Sequence, residues 1–187
     1  MTVPERVRLF AALELPAEVR GALAAWAHEQ VGEMARVRLV GPDSLHVTLC
    51  FLGLRPAAEA GEIAAACRDA VSGLRAAPLT VGDALWLPLR RPRVLSVELG
   101  DDESRLAAVQ SALARALADG GFYTPETRRF LAHVTVARVQ REARIRPPEL
   151  PAPEAMPFMS ATVTLFQSRL GKGPAHYEAL ARVALPG

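Results

Sequence analysis

Residues 44–52 read Ser-Leu-His-Val-Thr-Leu-Cys-Phe-Leu, and a similar stretch, His-Val-Thr-Val-Ala-Arg-Val, begins at residue 133. In both stretches apolar residues alternate with other residues, which predicts a β-strand with one face in the core. Successive side chains of a strand point to opposite faces, so His46 and Thr48 share one face, as do His133 and Thr135. Each strand is expected to present an imidazole beside a hydroxyl, backed by apolar packing.

The same alternation assigns the neighbours of the first motif. It places Cys50 on the face of His46 and Thr48, and it places Phe51 on the apolar face with Leu45, Val47 and Leu49. We therefore expect Phe51 to pack in the core, although a phenyl ring is also able to stack on a nucleobase.

The elements around the two motifs follow one plan twice: a strand, a helix and then a strand that begins near a histidine. We predict helices at 17–33, 58–72 and 103–118, a proline-rich loop at 142–157 and a turn at 171–174. Strands are predicted at 6–13, 36–40, 45–52, 79–87, 93–99, 131–139, 158–168 and 175–185. This order predicts one domain over residues 1–187, duplicated internally, with halves of approximately 1–88 and 89–187.

The composition excludes several classes of protein. The chain has 187 residues, 50% of them hydrophobic and 22% charged, and a formal net charge of +2, which excludes wholesale disorder and a heavily basic nucleic-acid coat. No apolar run is long enough to span a bilayer, and the N-terminal residues lack a signal-peptide core, so we expect a cytoplasmic protein. The two cysteines, Cys50 and Cys67, cannot form a disulfide framework and are expected to be reduced.

Two histidines that face each other are suited to acid–base catalysis, because imidazole titrates near neutral pH. One histidine can take a proton from an attacking water while the other protonates the departing alkoxide, and the threonine hydroxyls can hold an anion between them. This arrangement suits phosphodiester cleavage without a metal or a cofactor. A metal site lacks patterned partner ligands, and the sequence has no Gly-x-Ser-x-Gly elbow, Walker A loop or dinucleotide-binding loop.

At these residues the sequence resembles the 2H phosphoesterase superfamily, which is named for its two His-x-Thr/Ser motifs. Within it, the chain is similar to the RNA 2′,3′-cyclic phosphodiesterases, also called 2′-5′ RNA ligases of the LigT/ThpR type. The similarity runs along nearly the whole chain. The residues that carry it are Arg8 to Leu13, Ser44 to Leu49, Phe51 to Gly53, Arg91 to Leu95, Phe130, His133 to Val139, Ser168 to Leu170, Gly173-Pro174 and Tyr177-Glu178.

The resemblance implies an α+β fold of two pseudo-symmetric lobes, each an antiparallel sheet with helices, around a central cleft. It implies that RNA 2′,3′-cyclic phosphate ends are opened to 2′-phosphomonoesters, and that the reverse chemistry joins RNA ends such as tRNA halves. It makes His46 the general acid and His133 the general base, although the symmetry of the motifs leaves this order open. Thr48, Thr135 and Arg138 would then hold the phosphate oxygens.

Other residues are candidate RNA contacts. Phe130 flanks the second motif, and Phe10 is a further candidate for base stacking. Arg138 lies five residues after His133, so it reaches the histidine's face only if the strand ends or bulges near Ala137. The remaining candidate contacts to the RNA backbone are Arg90, Arg91, Arg93, Arg128, Arg129, Arg141, Arg144 and Arg146.

The sequence leaves two other functions open. One is a non-catalytic nucleotide- or RNA-binding module, which would not need both an acid and a base. The other is the same chemistry on small substrates such as cyclic nucleotides or ADP-ribose cyclic phosphate. We expect a monomer that needs no metal and no cofactor and does not bind a membrane.

Overall fold

In the part of the chain that the structure describes, one antiparallel sheet with three α-helices packed against it forms the fold. The computed structural model describes residues 5–169 and 176–187, so the predicted turn at 171–174 lies outside the described residues. The helices are α1 (Ala17–Val31), α2 (Ala60–Val71) and α3 (Arg105–Asp119). The strands are β1 (Arg6–Glu14), β2 (Val37–Leu39), β3 (His46–Pro56), β4 (Ala77–Leu87), β5 (Val94–Gly100), β6 (His133–Val139), β7 (Pro157–Ser160), β8 (Thr162–Arg169) and β9 (His176–Ala184).

The two motif strands meet in the middle of the sheet. The strand order is β7-β4-β5-β6-β3-β1-β8-β9, and β2 pairs with β6 off this path. This order is symmetric about the contact between β6 and β3: β5 corresponds to β1, β4 to β8 and β7 to β9. The two lobes therefore meet where each motif begins, which confirms the predicted α+β architecture.

Each lobe takes strands from distant parts of the chain. β4 pairs with β5 and β7, although it precedes them, and β8 returns from the end of the chain to pair with β1. We propose that sequence halves 1–88 and 89–187 are the units of a duplication. In that case the first half supplies β4 to the lobe that contains β6, and the second half supplies β8 and β9 to the lobe that contains β3.

The single strand predicted at 158–168 is wrong, because the chain forms two strands there. β7 pairs with β4 at one edge of the sheet, whereas β8 pairs with β1 near the other edge. The strands separate at Ala161, whose carbonyl accepts a hydrogen bond from the Leu185 amide at 2.7 Å. Both segments have strand-forming sequences, and only their different pairing partners divide them.

The helices cover the sheet with the apolar stripes that their spacing predicts. The buried side of α3 is formed by Leu106, Val109, Leu113 and Leu117, all at most 1% exposed. α2 and α3 pack on each other, α3 also contacts β3, and α1 contacts β2 and β6. In the part of the chain that the structure describes, no helix is both long and apolar enough to cross a membrane.

Candidate active site

The two motif strands are direct neighbours. Val47 and Val134 are Cα partners in the antiparallel pairing of β3 with β6, and both are buried. The residues on either side of each valine must then point to the opposite face of the sheet. Four polar motif side chains lie together on that face: His46, Thr48, His133 and Thr135.

Both imidazoles are oriented in the same way. The Nδ1 atom of His46 lies 2.8 Å from the carbonyl oxygen of Ser44, and that of His133 lies 2.8 Å from the carbonyl oxygen of Leu131. A carbonyl only accepts, so Nδ1 carries the proton in each ring and the neutral ring keeps its lone pair on Nε2. His46 Nε2 lies 3.1 Å from the Thr48 Oγ1, whose hydroxyl donates to it.

A β-bulge changes the facing of the residues that follow the first motif. In the pairing of β1 with β3, Ala12 is opposite Thr48 and Ala11 is opposite Cys50, so Leu49 is an additional residue on β3. The predicted faces of Cys50 and Phe51 are therefore wrong: Cys50 is 1% exposed, and Phe51 is 50% exposed. A bulge inserts one residue and so reverses the alternation beyond it.

The second motif strand has a bulge at the equivalent place. Leu95 is opposite Ala137 and Ser96 is opposite Thr135, so Val136 is the additional residue on β6. Val136 and Ala137 are both buried, and Arg138 turns to the face of His133. This is the bulge near Ala137 that Arg138 needs in order to reach the same face of the sheet as His133.

A cavity of about 520 Å³ opens on this face. Of the predicted site residues, His46, Thr48 and Arg138 line it, together with Phe51. The others do not form its wall: His133 and Thr135 lie on the neighbouring strand, and Phe130 packs against the core. The Thr135 hydroxyl lies 3.5 Å from the Ser96 hydroxyl.

Three aromatic rings surround His46. The ring centroid of Phe10 lies 4.9 Å from that of His46, Tyr177 meets it edge-on at 5.3 Å, and Phe166 lies at 6.2 Å. The pKa of His46 is lowered from 6.5 to about 4, chiefly by burial and also by the charges of Arg138 and His133, against the opposing effect of the hydrogen bond to Ser44. His46 is therefore neutral at neutral pH when the cavity is empty.

Several lining residues were missed by the sequence analysis. Arg8 and Arg38 line the cavity along with Tyr177, and Arg141 joins them as one of the predicted RNA contacts. The guanidinium carbon of Arg8 lies 5.7 Å from the centroid of the Phe51 ring. Arg8 and Tyr177 belong to stretches that carry the family resemblance, but no role in the site was predicted for them or for Arg38. Strand pairing brings these three side chains to the cavity from distant parts of the chain.

The two cysteines are outside this chemistry. Cys50 and Cys67 are free thiols and are both buried, and burial raises the pKa of each thiol to about 12. A protonated thiol is a poor nucleophile. Within residues 5–169 and 176–187, no group of three or more His, Cys, Asp or Glu side chains is placed to hold a metal ion.

Known proteins share this fold and are similar to this chain in sequence. The model of the family "LigT like Phosphoesterase" matches residues 13–95. The RNA 2′,3′-cyclic phosphodiesterase of Escherichia coli (strain K12) is 32% identical over 189 residues, which cover 97% of this chain and 98% of that protein. TT0787 of Thermus thermophilus superposes with a TM-score of 0.79 at 26% identity, covering 96% of this chain and 98% of that one. E. coli LigT complexed with 3′-AMP gives a TM-score of 0.77 at 28% identity, covering 97% of this chain and 99% of that one.

The fold and the paired histidines define a two-histidine phosphoesterase. The chain belongs to the LigT-like phosphoesterase family, which confirms the family that the motifs predicted.

Proposed function

We propose that this protein hydrolyses the 2′,3′-cyclic phosphate end of RNA to a 2′-phosphomonoester. The observation that carries the proposal is the matched pair of imidazoles, His46 and His133, each of which holds Nδ1–H on a backbone carbonyl and so keeps its lone pair on Nε2. A cavity lined by His46 and several arginines suits an anionic substrate. The E. coli relative, which is named for this activity, adds support.

In the proposed reaction, His133 takes a proton from water as the water oxygen bonds to phosphorus. The bond between phosphorus and O3′ breaks, and His46 gives its Nε2 proton to O3′. The products are a 2′-phosphate and a free 3′-hydroxyl, and solvent restores both imidazoles. The same two groups are proposed to serve 2′-5′ ligation, in which the 5′-hydroxyl of a second RNA replaces water as the nucleophile on the cyclic phosphate. Its oxygen bonds to phosphorus while His133 takes its proton, the bond to O3′ breaks and His46 protonates O3′, which leaves a 2′-5′ phosphodiester and a free 3′-hydroxyl.

The low pKa of His46 in the free protein has a consequence for its proposed role as the general acid. A general acid must carry a proton, and His46 is neutral at neutral pH before substrate binds. An anion within about 4–6 Å favours the imidazolium and raises its pKa. His46 is therefore proposed to gain its proton together with the phosphate.

The remaining motif residues are proposed to hold the phosphate. Thr48 and Thr135 have hydroxyls on the histidine face, and the Arg138 guanidinium is close enough for its charge to lower the pKa of His46. Charge-assisted hydrogen bonds from an arginine fork suit the non-bridging oxygens. Phe51, with Arg8 over its ring, offers an exposed face for stacking a nucleobase at the same cavity.

The test uses an end-labelled RNA oligonucleotide with a 2′,3′-cyclic phosphate, incubated in EDTA with wild type, His46→Ala and His133→Ala. We expect a 2′-phosphate from wild type and its loss in both variants. Loss of wild-type activity in EDTA would contradict the metal-free mechanism. RNA binding without turnover, surviving both substitutions, would instead favour a binding module. The protein is further proposed to act as a cytoplasmic monomer.

A further inference from the structure

Two arginines lie directly opposite each other at one end of the cavity. Arg38 of β2 and Arg138 of β6 are Cα partners, both are exposed, and both line the cavity. Like charges that are directly opposite on paired strands repel and destabilise the pair. This repulsion is relieved when an anion binds between or beside them.

The cavity holds more positive charge than the terminal phosphate balances. Four arginines line it, Arg8, Arg38, Arg138 and Arg141, and no aspartate or glutamate is among the lining residues of the described chain. Within residues 5–169 and 176–187, none of the four forms a salt bridge, and the Nε atom of Arg8 is buried without a hydrogen-bond partner. A cyclic phosphodiester carries a single negative charge, so further anionic groups of the substrate are needed to match the cavity.

The charges divide between the two ends of the cavity. Arg8 lies over the exposed Phe51 ring, which is the end proposed for the nucleobase. Arg138 is the arginine whose charge acts on His46, and it is assigned to the reacting phosphate. Arg38 lies opposite Arg138, and Arg141 follows just beyond the end of β6, so these two have no assigned partner in the substrate.

We propose that Arg38 and Arg141 form a second phosphate subsite, which binds the phosphodiester on the 5′ side of the terminal nucleotide. This rests on the proposed function and names the substrate class more closely: oligonucleotide ends rather than free cyclic mononucleotides. The planar fork of arginine matches the two non-bridging oxygens of a phosphodiester.

The experiment compares three substrates with the same terminal nucleotide. They are a nucleoside 2′,3′-cyclic phosphate, a dinucleotide ending in that group, and the same dinucleotide with an uncharged methylphosphonate linkage. We expect wild-type kcat/KM for the charged dinucleotide to exceed that for either other substrate by about tenfold, the effect of one good ionic contact. Arg38→Gln and Arg141→Gln are expected to reduce this ratio severalfold.

The matched control is Arg115→Gln, which removes an exposed arginine of α3 that does not line the cavity. This variant should keep the wild-type ratio of kcat/KM between the charged dinucleotide and the other two substrates. Equal turnover of the charged and uncharged dinucleotides by wild type would overturn the subsite, as would equal ratios in the Arg38 and Arg115 variants.

A binding measurement separates failure of the subsite from failure of the proposed function. If wild type cleaves none of the three substrates, the proposed function fails. In that case, the affinities for the 2′-phosphorylated dinucleotide and for its methylphosphonate analogue test whether the subsite exists without any need for turnover. Tighter binding of the charged form that Arg38→Gln removes supports the subsite, and equal affinities overturn it.

Discussion

Phe51 and Arg138 occupy equivalent positions in the two motif strands, and a β-bulge turns each of them to the face of its histidine. Each follows its motif histidine by five residues, and in each strand the additional residue of the bulge is the third after the histidine. The backbone is therefore pseudo-symmetric while the side chains differ. One lobe offers an aromatic ring and the other a guanidinium, so the two ends of the cavity suit different parts of a nucleotide.

Replacing Arg138 by Gln should weaken transition-state stabilisation. Loss of one preorganised donor to a developing anion typically lowers the rate by about 10²–10³-fold. We expect a fall in kcat of this order on a cyclic phosphate substrate, with partial recovery in Arg138→Lys, which keeps the charge but not the fork. Steady-state kinetics check this, and an unchanged kcat in Arg138→Gln would contradict the assignment.

Replacing Phe51 by Ala should act mainly on KM. Base–aromatic stacking contributes about 1–3 kcal/mol per base, so kcat/KM is expected to fall by roughly 5- to 150-fold. Because the ring is half exposed, the fold should keep its stability, which thermal unfolding checks. A ribose 2′,3′-cyclic phosphate without a base is the matched substrate, and an equal loss on it would exclude stacking as the cause.

A change of the leaving group tests which histidine is the general acid and which is the general base. A thiolate departs without a proton, so a substrate with sulfur in place of O3′ needs no general acid. His46→Ala is expected to lose about 10²–10⁴-fold with the oxygen substrate and much less with the sulfur substrate. His133→Ala should lose activity on both. Recovery in His133→Ala instead of His46→Ala would reverse the two roles.

The free energy of unfolding of the substrate-free protein should depend on pH because of His46. Its pKa is lower in the folded state, about 4, than the ordinary 6.5, so the unfolded chain binds more protons between these values. The stability is therefore complete above about pH 6.5 and is lost as the pH falls toward 4, by up to about 3 kcal/mol from this group. Denaturant unfolding across this range should show a smaller loss in His46→Gln, and parallel curves for the two proteins would refute the shift.

The aromatic rings around His46 should control its pKa. Phe166→Ala admits water beside the imidazole, and less burial favours the charged form. The pKa of His46, followed by NMR titration, is expected to rise toward 6.5 in this variant. The matched control is Phe122→Ala, because that ring lies under Arg55 and outside the cluster. An equal shift in both variants would show a general loosening of the fold.

The sequence by itself determined most of the local elements and the family. Alternation with period two identified both motif strands, and helical spacing identified the buried stripe of α3, because these patterns record which face of an element is apolar. The repeated His-x-Thr motif identified the family, since each copy holds its histidine and threonine within three consecutive residues of one strand.

Only the tertiary structure decided how these elements combine. The bulges at Leu49 and Val136 are defined by the pairing of their strands with β1 and β5, and no single strand's sequence shows them. For this reason the alternation along β3 alone placed Phe51 on the wrong face of the sheet. Arg38 faces Arg138 through a pairing of residues far apart in the chain, and Phe166 and Tyr177 reach His46 from strands near the C-terminus. Side-chain periodicity is a local property, whereas strand pairing depends on contacts between distant segments, and a single inserted residue reverses the side-chain facing beyond it.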